Sequence, residues 1–212
     1  MRIIPSVFGY EIDYICKAIV PLMEFGVDTI HIDVFDGTIS PMRFDGLEYI
    51  RRLKKIYLES NVKFNVHLIT NKPCSYLDNL ISMGVEEVSA DLKSCSSENQ
   101  HLFTSTLKKN NIRVGLICDE ICLSYRPNLA DVDYLHICGT CFGTNRVLTE
   151  SEIVGNIELM HVHGLPIMVD GGVGVHNIGR YRDAGASIFI SGKGIFEGNA
   201  MTNYQQMYKI LL

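Results

Sequence analysis

The stretch KFNVHLITNKPCSYLDNLISMGVEEVSADL, residues 63–92, decides the fold. It opens with a strand-like apolar run, Lys63 to Ile69, passes Pro73, takes on helical periodicity from Tyr76 to Met83, and returns to a second strand-like run from Glu87 to Leu92. Gly84 stands between helix and strand, where a left-handed cap is cheapest for a residue without Cβ. Two strands joined through a helix are parallel, because antiparallel neighbours need only a short turn.

The same unit repeats outward in both directions. Strand candidates are Ile3 to Val7, Thr29 to Val34, Lys63 to Ile69, Glu87 to Leu92, Arg113 to Cys118, Asp133 to Cys138, Pro166 to Val169 and Ser187 to Ser191, eight in all. Amphipathic stretches lie among them at Ile12 to Phe25, Leu47 to Leu58, Tyr76 to Met83, Asn99 to Asn110 and Glu152 to His163. Gly26, Gly164 and Gly185 repeat the boundary role of Gly84. Eight parallel strands make either an open doubly wound sheet or a closed cylinder. The site-like sequences all follow strands, at one end of the sheet, which favours an α/β single-domain (β/α)8 TIM barrel over residues 1–212.

Composition narrows the function. With 47% hydrophobic and 20% charged residues the chain can bury a core and is not disordered. Nineteen Lys+Arg against 24 Asp+Glu give a formal charge of -5 and no basic stripe, so nucleic acid is not an expected partner. No run approaches the roughly 18 apolar residues needed to cross a bilayer, and no lipidation motif is present, so no membrane is expected either. An odd number of cysteines, seven, spread through apolar segments, together with an N-terminus lacking a secretory leader, predicts a reducing, cytoplasmic location.

Chemistry gathers at the strand ends. His31-Ile32-Asp33-Val34-Phe35-Asp36-Gly37 places His31 and Asp33 two apart, on one face of a strand and roughly 7 Å from each other along it. If that face is the barrel interior, two ligand-type groups enter a space normally filled by Val, Ile and Leu, and a metal reconciles them with burial. His67 lies in an otherwise apolar run; taken alone it reads as a hydrogen-bonded core histidine rather than a ligand, but it is not alone. Asp170, before Gly171 and Gly172, adds a carboxylate at the same rim, although Asp-Gly-Gly is also ordinary turn chemistry. Two imidazoles and two carboxylates suit one divalent metal ion, Zn, Fe, Mn or Co, without distinguishing among them. Asp36, out of phase with Asp33, reads as a cap or turn residue.

After the eighth strand, Ser191-Gly192-Lys193-Gly194 offers backbone N–H groups to an anion, and Gly171 and Gly172 supply the facing wall of a phosphate site. Lys193 either adds a positive charge there or is a solvated surface lysine. His101, His161, His163 and His176 fall in helical, capping or solvent-facing contexts. His136 points either into the barrel or against the helices, and Cys138 and Cys141 read as apolar packing rather than nucleophiles.

These residues resemble the ribulose-phosphate 3-epimerase family. Its barrels carry Ser near the end of strand one, His-x-Asp-x-Met-Asp-Gly at strand two, Asp-x-His-Leu-Met at strand three, and Asp-Gly-Gly followed by a Gly-Ser phosphate loop. The matches are Pro5-Ser6-Val7, His31 to Gly37, Asn65-Val66-His67-Leu68-Ile69, Asp170-Gly171-Gly172-Val173 and Ser191 to Phe196, nearly end to end. The resemblance implies a ribulose-phosphate-binding barrel with His31, Asp33, His67 and Asp170 as ligands of a divalent metal. It implies Asp33 and Asp170 as the acid and base of a 1,1-proton transfer at C3 of a phosphorylated ketose through an enediolate. D-ribulose 5-phosphate and D-xylulose 5-phosphate are the default pair, Ser6 is a substrate contact, and a homo-oligomer is expected.

Departures fall on the substrate side. The family's Met-x-Val-x-Pro-Gly-Phe-Gly-Gly-Gln after strand six becomes the shorter Cys138 to Asn145, Phe35 replaces the Met of strand two, and Thr38 the His after Asp-Gly. Asp91-Leu92-Lys93 stands for His-x-Glu, and Asp119-Glu120-Ile121 for Pro-x-Thr. They leave open the same chemistry on another ketose phosphate, such as a hexulose phosphate or a polysaccharide-pathway sugar, or a non-catalytic sugar-phosphate-binding barrel.

Overall fold

Strand and helix alternate from β1 (Arg2–Pro5) and α1 (Ile12–Glu24) through β2 (Thr29–Asp36), β3 (Arg43–Phe44), α2 (Gly46–Ile56), β4 (Lys63–Ile69) and α3 (Leu77–Met83). They continue with β5 (Glu87–Ala90), α4 (Ser97–Lys109), β6 (Arg113–Cys118), β7 (Tyr134–Cys138), β8 (Thr140–Cys141), β9 (Arg146–Val147) and α5 (Glu150–His161). The last elements are β10 (Ile167–Asp170), α6 (Ile178–Ala184), β11 (Ile188–Ser191), α7 (Lys193–Phe196) and α8 (Ala200–Leu211). This computed structural model describes residues 1–57, 61–93, 95–118 and 129–212. Leu58, Cys122 and Asp119-Glu120-Ile121 lie outside the described residues.

The sheet order is β1-β11-β10-β7-β6-β5-β4-β2-β3, parallel throughout except for the short antiparallel β3 at its edge. It curls until its first strand reaches β2, where Ser6 bridges to His31 and Val7 N–H donates to His31 O at 3.3 Å. The eight parallel strands are those expected, and the architecture is the TIM-barrel type. Among the described residues no helix is long and apolar enough to cross a membrane.

Helices form where capping and apolar spacing agree. α1 buries Ile12, Ile15, Ile19 and Leu22, a three-to-four spacing that seats one face on the sheet. Each such side chain contributes about 1.5–3 kcal/mol. α5 starts at Glu150, ahead of the expected Glu152, because Thr149 and Glu152 form a capping box. The four boundary glycines all take positive φ. At Gly84 (+56°) and Gly185 (+119°) that conformation ends α3 and α6, as a Cβ-bearing residue does only at a cost.

Strand ends shifted for local reasons. β2 runs on to Asp36 because β3 pairs with Phe35 and Asp36. β5 stops at Ala90, since Asp91 turns the chain by accepting Lys93 N–H at 2.9 Å. Gly185 marks the end of α6 as expected, whereas the pattern gives no bounds for α6, α7 and α8 and no hairpin β8–β9.

Most buried apolar side chains lie between sheet and helices. A separate cluster of Ile4, Tyr134, Met168, Ile188 and Ile190 fills one side of the barrel interior. Tyr134 lies across β6 at Gly115, where a Cβ would stand 2.2 Å from its ring. The other side is polar: His31, Asn65, His67, Glu87, Ser89 and His136 are all buried.

Candidate active site

Alternation along β2 puts His31 and Asp33 on one face, and β4 does the same with Asn65 and His67. Register pairs His31 with Asn65 and Asp33 with His67. From across the barrel β10 delivers Asp170 at its C-terminal end. His31 Nε2 lies 3.5 Å from both Asp33 Oδ1 and Asp170 Oδ2, and His67 Nδ1 lies 3.1 and 3.8 Å from the same two oxygens. One ligand atom from each of the four residues falls within 4.8 Å of all the others.

Hydrogen bonds running from Glu87 through Asn65 fix the tautomer of His31. Arg2 and Arg113 pair with Glu87 Oε1 at 2.7 and 2.5 Å, while Glu87 Oε2 accepts from Asn65 Nδ2 at 2.8 Å. That fixes the Asn65 amide, whose Oδ1 accepts from His31 Nδ1–H at 2.6 Å. The neutral imidazole then turns its Nε2 lone pair toward two carboxylate oxygens, and Nε2 is buried without a hydrogen-bond partner. Only a cation relieves three converging lone pairs. Metal–ligand bonds of about 2.0–2.2 Å place neighbouring donors roughly 3–3.5 Å apart, close to the spacing here.

Without a metal, that cation is a proton. Burial opposes charge on His31, but Asp33 and Asp170 outweigh it and push the imidazole up to about 9. Burial likewise opposes charge on His67, and the same two acids raise it. Burial works against ionised Asp33 and Asp170 too, yet His31 above all holds both below the ordinary carboxylate value. Both acids are therefore ionised at neutral pH. The arrangement pairs two ionised carboxylates with a cluster able to hold a cation.

The remaining residues singled out in the sequence fall on the same rim. Ser6 N–H donates to Ser191 O at 2.9 Å, and Ser191 Oγ donates to Val173 O at 2.7 Å, tying the loops after β1, β10 and β11 together. Gly194 packs so closely that a Cβ there would meet Val173 O at 2.3 Å. Gly171 and Gly172 take positive φ, Gly171 lies against Gly139, and Gly192 sits against Ser6. Lys193 is exposed at the start of α7. Asp36 is a turn residue: Oδ1 accepts from Thr38 N–H at 2.9 Å and Oδ2 from Thr70 Oγ1 at 2.5 Å.

The hairpin β8–β9 carries Phe142 over the centre, its ring 5.1 Å from Phe35 and 5.9 Å from His67. Beneath it is a cavity of about 30 Å³ whose lining includes His67, Asp91, Cys138, Cys141 and Phe142. Cys138 and Cys141 are spaced as CxxC, but burial, aided by Asp170, pushes the Cys138 thiol up, opposite to what a nucleophile needs. A cleft of about 380 Å³ at the other end of the strands, lined by Arg2, Asp28, Tyr204 and Tyr208 among others, holds none of the four ligand-type residues.

Two contributors escaped the sequence reading. Asn65 orients His31, and its inward phase beside His67 was the available signal. His136 faces the interior, with Nδ1 2.8 Å from Ser89 Oγ and Nε2 3.6 Å from Asp170 Oδ2, and burial holds it down to about 4, hence neutral.

The profile of the ribulose-phosphate 3 epimerase family matches residues 2–196. A ribulose-phosphate 3-epimerase of Treponema pallidum is 21% identical over 202 residues, covering 92% of this chain and 90% of its own. That of Encephalitozoon cuniculi is 27% identical over 177 residues, covering 82% and 78%. The crystal structure of 3-hexulose-6-phosphate synthase from Salmonella typhimurium superposes with a TM-score of 0.72 at 16% identity, covering 100% of this chain and 98% of that one, a likeness of fold. Members of the epimerase family are carbohydrate isomerases that use a divalent metal, and the four-residue cluster is able to bind one. With its sequence matched almost throughout, the chain belongs to the ribulose-phosphate 3-epimerase family.

Proposed function

We propose that this chain, as one (β/α)8 domain over residues 1–212, is a metal-dependent epimerase inverting C3 of a phosphorylated ketose. D-ribulose 5-phosphate and D-xylulose 5-phosphate are the default pair, and the cytoplasm is the expected compartment. One observation carries the reading: two ionised carboxylates from separate strands, Asp33 and Asp170, each lie 3.5 Å from the same unpartnered imidazole nitrogen.

Asp33 and Asp170 serve as the acid–base pair on opposite faces of the substrate. One takes the C3 proton; the C–H electron pair moves toward the C2 carbonyl to give the enediolate, and the other returns a proton to the opposite face. A divalent ion held by His31, Asp33, His67 and Asp170 supplies Lewis-acid stabilisation of the negative charge that develops on the sugar oxygens. Asn65 keeps the His31 donor aimed at that position. Ser6 contacts the substrate, the backbone of Gly171, Gly172 and Gly192 forms the phosphate end, and Lys193 adds charge there. Ser191 spends its hydroxyl on Val173 O, so its part is to hold the two loops together. Phe142 excludes water above His67.

Incubating the metal-loaded protein with a panel of ketose phosphates in D₂O tests this. Deuterium gained at C3 of one of them, lost in Asp33→Asn, is the expected result. A panel without exchange, from protein shown to carry the ion, overturns it. Phe35 in place of the family's Met motivates including hexulose phosphates in the panel.

A further inference from the structure

His136 is a buried imidazole that the epimerase reading leaves without a task. It sits on β7 in register with Met168, two residues before Cys138, whose partner in β10 is Asp170. Its ring centroid is 4.7 Å from that of His67 and 6.1 Å from that of His31. It is not one of the four residues whose ligand atoms share the 4.8 Å cluster.

Burying an imidazole at a position where barrel interiors carry aliphatic side chains costs the hydration of two nitrogens. Ser89 Oγ, at 2.8 Å, satisfies Nδ1. Nε2 has no hydrogen-bond partner, and the acceptor facing it is Asp170 Oδ2 at 3.6 Å, a gap that a small rotation of ring or carboxylate closes. Were Nδ1 protonated, Ser89 would accept and an Nε2 lone pair would oppose a carboxylate oxygen. With Nε2 protonated, the Ser89 hydroxyl donates to Nδ1 and Nε2–H points at Oδ2, so both nitrogens are served.

We propose that His136 is a positioning residue for Asp170, directing Nε2–H at Oδ2 so that the carboxylate is held in one rotamer and the substrate proton is carried by Oδ1. The role rests on the epimerase reading, because Asp170 needs a fixed orientation only if it exchanges a proton with a bound sugar. Outer partners of this kind typically change activity or metal affinity about 10–100-fold.

The test has two arms. The first is a two-bond ¹H–¹⁵N correlation spectrum of histidine-labelled protein at neutral pH, metal-free and zinc-loaded, with the His136 signals identified by their loss in His136→Gln. A neutral Nε2–H tautomer that survives zinc loading is expected. An Nδ1–H tautomer, or zinc shifting Nε2 as a ligand, overturns the proposal. The second compares His136→Leu with His136→Gln, whose amide can still donate. In Leu kcat falls about 10–100-fold with KM and bound zinc unchanged, and Gln recovers much of it. Equal losses in both variants, or lost zinc, contradict a positioning role. If the wild-type protein exchanges deuterium into no ketose phosphate, the epimerase reading fails, whereas the tautomer is still read from the spectrum.

Discussion

Metal binding at this centre should be a competition with a proton, and its size follows from His31. Near neutral pH the metal-free imidazole is protonated, because Asp33 and Asp170 raise it from 6.5 to about 9. An incoming ion needs the Nε2 lone pair and must displace that proton. At pH 7 the displacement covers about two pH units, which at 1.36 kcal/mol each is about 3 kcal/mol, or roughly 100-fold in affinity. Asp33 and Asp170, already ionised, add no slope in this range. Titrating Zn²⁺ against a competing chelator at pH 7, 8 and 9, with calorimetry in two buffers of different ionisation heat, reads both quantities. Affinity should rise at least tenfold per pH unit, more steeply where His67 also gives up a proton, and level off near pH 9, with at least one proton released per ion at pH 7. A flat profile without proton release would refute the assignment of His31 as a ligand.

Three further outcomes follow from the same contacts. The metal-free protein gains stability from protonated His31 that is full below about pH 6.5 and lost as the pH rises through about 9; its Tm should fall over that window, and fall less with Zn²⁺ bound. Asn65→Leu removes the acceptor of His31 Nδ1–H and the donor to Glu87, so Zn²⁺ affinity by chelator competition should drop about 10–100-fold. Gly115→Ala sets a methyl 2.2 Å from the Tyr134 ring, and denaturant unfolding should show a loss of about 1–3 kcal/mol, whereas an unchanged midpoint would mean that the interior is not packed as described.

The barrel was legible because apolar runs, helical periodicity and boundary glycines recur together; β4 and β6 have the expected limits. Less legible were elements whose signal is too short or too mixed. β8 and β9 have two residues each, too few for a period of two to show. In α8 the buried Tyr204 and Met207 are three apart behind the Asn199 cap, a thin stripe in a polar helix. The four clustered side chains could be seen as acids and imidazoles beside strand-like runs. His136 could not be placed, since Leu135 and Ile137 on either side are both apolar and give no phase. The phase of Asn65 beside His67 marks it as inward, but its orientation is set by Glu87, 22 residues away, which the strand register brings alongside. Local pattern thus reported which residues are unusual, and the curl of the sheet decided which ones meet.

The most direct check of the central claim is anomalous diffraction at the metal edge from crystals of the zinc- or cobalt-loaded protein. One ion should appear within about 2.0–2.3 Å of His31 Nε2, His67 Nδ1 and an oxygen each of Asp33 and Asp170. An ion bound elsewhere, or four side chains unmoved around no anomalous density at full metal loading, would contradict it.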